Sequence, residues 1–183
     1  MTRLTPLTPE NTSGKTKEVL EAGKKKFGKV PNIAGAMAHS PALLEGYLNL
    51  SGAVSGGTLD AKLREFIALA TAERNECYYC LSAHSTMGKM LGINEETLLK
   101  SRTEESIDPR TDAALTFVRA IVDKKGKVSD DDFATVKEAG YNEQAIAEIF
   151  ANVSLNLLTN YFNELARTEI DSPVKAQPLK ATV

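Results

Sequence analysis

Apolar side chains recur every three or four residues along most of this chain, a spacing that places them on one face of an α-helix. No segment shows the strict alternation of apolar and polar residues that is typical of a half-buried β-strand. Residues that favour helix ends separate the periodic segments. The pattern predicts an all-α protein with about seven to nine helices. The predicted helices span about 13–26, 32–39, 41–54, 59–73, 76–91, 95–102, 130–139 and 143–168. One further helix is predicted to begin at 109.

One helix boundary occurs twice in similar form. Residues 91–96 read Leu-Gly-Ile-Asn-Glu-Glu, and 48 positions later residues 139–144 read Ala-Gly-Tyr-Asn-Glu-Gln. Each copy has a glycine where one helix should end and an asparagine where the next should begin. We interpret the pair as a weak internal repeat of a helical unit.

The length of 183 residues suits one compact domain with a substantial core. Hydrophobic residues make up 42% and charged residues 25%, so a disordered chain is not expected. We predict an N-terminal arm over 1–12, a helical domain over 13–172 and a C-terminal tail over 173–183.

The charge balance narrows the expected partners. The formal net charge is -2 and the isoelectric point is about 5.8, which gives no electrostatic reason to expect nucleic acid or an anionic membrane. No apolar run approaches the roughly 20 residues of a bilayer span. The first residues have no hydrophobic segment like that of a signal peptide, so we expect a cytoplasmic protein.

The chemistry concentrates in one short stretch. Cys77, Cys80 and His84 include both cysteines of the chain and one of its two histidines. A disulfide between cysteines three positions apart would constrain almost no chain, so a structural role is not expected. In a reducing compartment such a pair is more often catalytic or metal-binding.

Helix geometry predicts how these residues act together. With Asn75 as the N-cap, both cysteines fall in the first turns, where backbone amides and the helix dipole favour a thiolate. Cys77, Cys80 and His84 then share one helix face, so the imidazole can accept a thiol proton directly or through one water. Glu65 lies twelve residues before Cys77 in the preceding helix. In an antiparallel hairpin it would face His84 and orient the ring.

Other interpretations of these residues remain open. Zinc could bind Cys77, Cys80, His84 and Glu65, since catalytic zinc sites combine such ligands. The cysteines could also be buried and inert. Tyr79 is a possible supporting residue of the site, although packing is the commoner role for tyrosine.

Two further groups of polar residues have structural interpretations. His39 has no thiol nearby in sequence, so we expect it to be structural or exposed. The final predicted helix is rich in amides, which could line an interface or form a solvated face. These amides are Asn152, Asn156, Asn160 and Asn163.

The spacing from Glu65 through Cys77-x-x-Cys80 to His84 resembles the signature of the carboxymuconolactone decarboxylase superfamily, in its alkyl hydroperoxidase D-like branch. Segments 30–33, 40–44 and 160–163 also resemble the peroxidase-related subgroup, and the resemblance covers roughly 30–172. It implies an all-α, single-domain helical bundle of the AhpD-like type, assembled as a homotrimer or homohexamer. It implies no cofactor.

The resemblance also implies thiol-dependent peroxide reduction. Cys80 would attack a small hydroperoxide, Cys77 would resolve the sulfenic acid as a disulfide, and Glu65 and His84 would relay the proton. A dithiol or a protein reductant would restore the thiols. Tyr79 stands where the best-studied members have a second histidine, and tyrosine is a poor base near neutral pH. The decarboxylases of the superfamily typically lack the cysteine pair.

Two alternatives from other functional classes follow from the same residues. The first is a non-catalytic helical module whose dithiol senses redox state or binds metal. The second keeps the fold but uses Glu65 and His84 as acid and base in a decarboxylation or isomerisation.

Overall fold

The structure is a computed structural model that describes residues 1–103, 105, 107–173, 176 and 179. These residues form nine α-helices and one short 3₁₀ helix, Pro9–Asn11, and they contain no β-strand, as the apolar pattern predicted. The α-helices are α1 Gly14–Phe27, α2 Asn32–Met37, α3 Pro41–Ser55, α4 Ala61–Arg74, α5 Tyr78–Met90, α6 Glu95–Lys100, α7 Pro109–Asp123, α8 Asp130–Glu138 and α9 Glu143–Ala166.

Helix α4 is the centre of the bundle. It packs against α5, α7 and α9, and side chains such as Ile67, Leu69 and Ala72 are fully buried. A helix that is apolar on most of its circumference is stable only when neighbours cover it on several sides. Two carboxylates of α4, Glu65 and Glu73, are largely buried by these neighbours.

The start of α4 differs from the prediction by two residues. The pattern predicted a helix beginning near 59, but the N-cap is Asp60, whose carboxylate accepts hydrogen bonds from the amides of Lys62 and Leu63. The Thr58 hydroxyl donates to the carboxylate of Glu148 in α9 at 2.9 Å. Thr58 therefore makes a long-range hydrogen bond and is not part of the helix.

The start of α5 is also later than predicted, because the end of α4 occupies the residues between the helices. Glu76 has a φ of 52°, and the amides of Glu76 and Cys77 donate to the carbonyls of Glu73 and Ala72. This pair of bonds is a Schellman motif with a non-glycine residue in the left-handed position. The expected N-cap, Asn75, is thus the C-cap of α4, and Cys77 caps α5.

The predicted repeat has a common geometry at its two helix boundaries. Gly92 and Gly140 have φ values of 74° and 90°, which only glycine adopts without strain. In each copy the asparagine two residues later caps the next helix with its side chain. The flanking helices differ in length, so the similarity is strongest at the connection itself.

Residues near both ends of the described part of the chain contact the bundle. The amides of Arg3 and Leu7 donate to the carbonyls of Ala166 and Gly35 at 2.7 and 3.0 Å. In the region predicted as a tail, the amide of Ala176 donates to the Ser82 hydroxyl. Most of the other residues of 173–183 lie outside the described part of the chain. No described helix combines the length and the apolar character that crossing a membrane requires.

Candidate thiol site

The two cysteine side chains are in contact at the start of α5. Cys77 is the N-cap, and its Sγ accepts a hydrogen bond from the Cys80 amide at 3.4 Å. The two Sγ atoms lie 2.7 Å apart as free thiols, with Cys77 donating to Cys80. Both residues are buried. The helix start thus brings the sulfurs close enough for disulfide formation with little movement of the backbone.

The surroundings make the two thiols unequal. Burial raises the pKa of Cys80, but the hydrogen bond from Cys77, the charge of His84 and two neighbouring amides outweigh it and lower that pKa to about 7. The pKa of Cys77 is raised by the hydrogen bond to Cys80, by burial and by the charge on Cys80. Cys80 is therefore the sulfur that ionises near neutral pH, while Cys77 keeps its proton.

Glu65 and His84 meet across the α4–α5 hairpin. Oε2 of Glu65 lies 2.8 Å from Nδ1 of His84, and both side chains are largely buried. Burial lowers the pKa of His84, but the charge and hydrogen bond of Glu65, together with Cys80 and Asn156, raise it above its ordinary value. The structure therefore brings together the four residues expected from the sequence.

Tyr79 has a different environment from the other candidate residues. Its hydroxyl donates to Oδ1 of Asp171 at 2.8 Å and accepts a hydrogen bond from the Ile33 amide at 3.4 Å. Burial and Asp171 raise its pKa, so the phenol stays protonated. Its hydrogen bonds thus connect α5 to α2 and to the segment after α9, and neither Glu65 nor His84 is among its partners.

The asparagines of α9 are the residues whose role the sequence interpretation missed. Neither a solvated face nor an outer interface fits, because all four are buried. Nδ2 of Asn163 donates to Sγ of Cys80 at 3.3 Å, Asn156 is beside His84, and Asn160 accepts a hydrogen bond from Asn75 at 2.9 Å. Their spacing of three and four residues was the available signal, since it marks one helix face.

The remaining expectations concern His39 and metal ions. His39 is exposed, and its Nε2 lies 2.9 Å from the carbonyl oxygen of Thr5, consistent with a structural role. Among the residues that the structure describes, no three His, Cys, Asp or Glu side chains are arranged to hold a metal ion. The alternative zinc site therefore has no assembled ligand set in this part of the chain.

A cavity of about 280 Å³ lies between the start of α5 and the end of α9. Tyr78 and Tyr79 from the start of α5 form one side, and Asn163 and Arg167 from the end of α9 form another. Asn163 thus lines the cavity and also contacts Sγ of Cys80. Cys80 itself is only 3% exposed, so Asn163 is the residue that links the cavity to the sulfur.

Known proteins are similar to part of this sequence. Residues 41–123 match the Carboxymuconolactone decarboxylase family, a region that contains Glu65, both cysteines and His84. An uncharacterized protein of Haemophilus influenzae is 41% identical over 63 residues, which are 34% of this chain and 50% of that protein. The chain therefore spans about half the length of this curated relative.

Solved structures of similar fold cover nearly the whole chain. The AhpD core of a peroxidase-related protein from Ralstonia eutropha JMP134 is 22% identical, with a TM-score of 0.82 over 93% of this chain and 92% of that one. A peroxidase-related protein from Silicibacter sp. TM1040 is 20% identical, with a TM-score of 0.80 over 95% of each chain. The debrominase Bmp8 in complex with 2,3,4-tribromopyrrole is 20% identical, with a TM-score of 0.79 over 93% of this chain and 92% of that one.

These comparisons establish the fold and a family match for one part of the chain. Residues 41–123 are similar to the Carboxymuconolactone decarboxylase family, and the fold is of the all-helical AhpD-like type. At 20–22% identity, the solved structures establish the fold alone.

Proposed function

We propose that this protein is a thiol peroxidase in which Cys80 reduces a small hydroperoxide and Cys77 resolves the resulting sulfenic acid as an internal disulfide. The observation that carries the proposal is the 2.7 Å contact between a readily ionised Cys80 and a protonated Cys77. A thiolate is the nucleophile in peroxide reduction, and a neighbouring protonated thiol is the group needed to resolve the product. Two buried cysteines that only fill space would not be expected to differ in pKa in this way.

The first step is a two-electron transfer to the peroxide. Cys80 gives its proton to His84, and the resulting thiolate attacks the terminal oxygen of the hydroperoxide. The O–O bond breaks, sulfur is oxidised to a sulfenic acid, and the leaving alkoxide takes the proton from His84 to give an alcohol. Glu65 holds the imidazole through Nδ1 and stabilises its charged form, which leaves Nε2 for the proton transfers.

The second step closes the disulfide. The sulfur of Cys77 attacks the sulfenic sulfur of Cys80, the S–O bond breaks, and the proton of Cys77 leaves with the hydroxyl group as water. A dithiol or protein reductant then restores both thiols by exchange, and is itself oxidised to a disulfide. The cavity beside Asn163 supports access for a small hydroperoxide. We propose a cytoplasmic homotrimer or homohexamer, and a sedimentation experiment at micromolar concentration tests the assembly.

Single-cysteine variants test the assignment of roles. The Cys77→Ser protein, treated with hydrogen peroxide and dimedone, should gain one dimedone adduct on Cys80 by mass spectrometry. The Cys80→Ser protein should gain none in the same time. The reverse pattern would exchange the two roles, and the absence of an adduct in both variants would contradict the peroxidase proposal.

The Glu65–His84 pair also supports a second candidate function. A buried imidazole held by a carboxylate can act as an acid and base without sulfur, as a decarboxylation or isomerisation would need. A Cys77→Ser, Cys80→Ser double variant separates the two proposals. Full activity of that variant on a carbon acid or carboxylate substrate would support the second candidate. Oxidation of the thiols by peroxide without turnover in excess dithiol would instead support a redox sensor.

A further inference from the structure

Asn163 places a neutral hydrogen-bond donor on the sulfur of Cys80. Its Nδ2 lies 3.3 Å from Sγ, and its side chain is almost fully buried. A donor of this kind stabilises the charged form of its acceptor more than the neutral form. It remains a donor at every pH at which the protein is folded, unlike His84.

Asn160 points a second amide in the same direction. Its Oδ1 accepts a hydrogen bond from Nδ2 of Asn75 at 2.9 Å, and this bond fixes which end of the Asn160 amide faces Asn75. The opposite end, Nδ2, is buried and has no hydrogen-bond partner within the described residues. Asn160 lies three residues before Asn163, on the same face of α9, and Asn163 contacts the Cys80 sulfur. The free donor of Asn160 is therefore on the side of α9 that contacts α5.

The unused donor of Asn160 has a physical cost. A buried N–H group without a partner destabilises the fold, because it has lost its hydrogen bonds to water and gained none in return. A neutral thiol is a weak acceptor, whereas a thiolate has three lone pairs and a full charge. Ionisation of Cys80 supplies the acceptor that this N–H group lacks.

We propose that Asn160 and Asn163 together hold the Cys80 thiolate, and that Asn75 is a positioning residue that orients Asn160 for this task. The proposal rests on the proposed function, because it assigns residues to the thiolate which that function uses. Helix packing alone does not explain why these two side chains are amides, because buried apolar side chains would fill the same space without the free-energy cost of burying polar groups.

The other described groups around Cys80 are not neutral amide donors like those of Asn160 and Asn163. From its own helix come Cys77, which is a single donor, and His84, whose charge depends on Glu65. Tyr47 of α3 has its pKa raised to about 12 by burial and by the charge on Cys80, so it stays neutral. The acidic groups in the surroundings disfavour a thiolate. They are Asp171, which is bound to Tyr79, and Glu164, which raises the pKa of Cys77.

The test measures ionisation of a single thiol without any peroxide. In the Cys77→Ser background, only Cys80 contributes thiolate absorbance at 240 nm as the pH is raised. Asn163→Ala should raise the midpoint by roughly one pH unit, and the isosteric Asn163→Asp should raise it further because it replaces a donor by a charge. Asn160→Ala and Asn75→Ala should raise it by smaller amounts.

Asn152→Ala is the matched control, because Asn152 is buried on the same helix face but donates to the Glu148 carbonyl at 2.7 Å. Its midpoint should be unchanged. An unchanged midpoint in both Asn163 variants, or an equal shift in Asn152→Ala, would overturn the proposal. Thermal melting checks whether each variant is folded. If Asn163→Ala does not fold, Asn163→Asp provides the test of Asn163. Shifted midpoints without any peroxide reaction would contradict only the proposed function.

Discussion

Oε2 of Glu65 lies 2.8 Å from Nδ1 of His84, and this contact joins the central helix α4 to the helix that carries both thiols. The bond leaves the other ring nitrogen free to exchange a proton. It also keeps the imidazole charged to a higher pH than an isolated histidine would be.

Glu65→Gln should lower the pKa of His84, because it removes the negative charge that favours the imidazolium. NMR titration of the ring protons measures this directly, and His39→Gln assigns the two histidine signals of the chain. In the wild type, the raised pKa stabilises the fold fully below about pH 6.5 and less as pH rises through the folded value. The stability difference between wild type and Glu65→Gln should therefore be larger at pH 6 than at pH 9. A His84 pKa that does not change in Glu65→Gln would contradict this account.

Alkylation of Cys80 should follow its lowered pKa. In the Cys77→Ser background, the rate with iodoacetamide should rise with pH to half its maximum near 7, below the usual thiol value of about 8.5. The serine hydroxyl retains a donor for Cys80 in this variant. Free glutathione in the same buffer is the reference thiol. A midpoint as high as that of glutathione would show that the site does not favour a thiolate.

Tyr79→Phe should weaken the fold while leaving the thiol chemistry largely intact. The change removes the hydrogen bond to Asp171 and leaves that carboxylate with one partner fewer, at a cost of about 1–2 kcal/mol. Urea unfolding measures the loss, and dimedone labelling of Cys80 reports the chemistry. A many-fold loss of labelling without loss of stability would instead place Tyr79 in the proton relay.

Gly35→Ala should displace the N-terminal segment. A Cβ atom on Gly35 would come within 2.6 Å of the Leu7 carbonyl oxygen, which is backbone and cannot rotate away. Trypsin should then cleave after Arg3 faster than in the wild type. Gly46→Ala is the control, because Gly46 is also helical and a Cβ there meets nothing within 4 Å. Equal cleavage of both variants would count against the described packing.

The sequence predicted the helices well because apolar period and caps are local signals. All nine α-helices were anticipated, and the long α9 ends within two residues of the predicted position. The starts of α4 and α5 were wrong by about two residues for reasons that lie far away or in the preceding helix. Thr58 binds Glu148 of α9, and the left-handed Glu76 delays α5.

The site could be predicted only where its residues are linked by helix geometry. Cys77, Cys80 and His84 share a helix, and Glu65 lies in the adjacent one, so a hairpin was enough to bring them together. Asn163 is 83 residues from Cys80 in sequence, and local patterns do not reveal which face of α9 meets α5. The amides beside the sulfur therefore emerged only from the packed structure.

The central claim is that Cys80 and Cys77 reduce a peroxide and form a disulfide together. The most direct measurement is to treat the fully reduced wild-type protein with one equivalent of tert-butyl hydroperoxide and count its free thiols over several minutes. We predict the loss of both thiols, with one molecule of tert-butanol formed per disulfide. Retention of both thiols, in protein that the denatured count shows to be fully reduced at the start, would contradict the account.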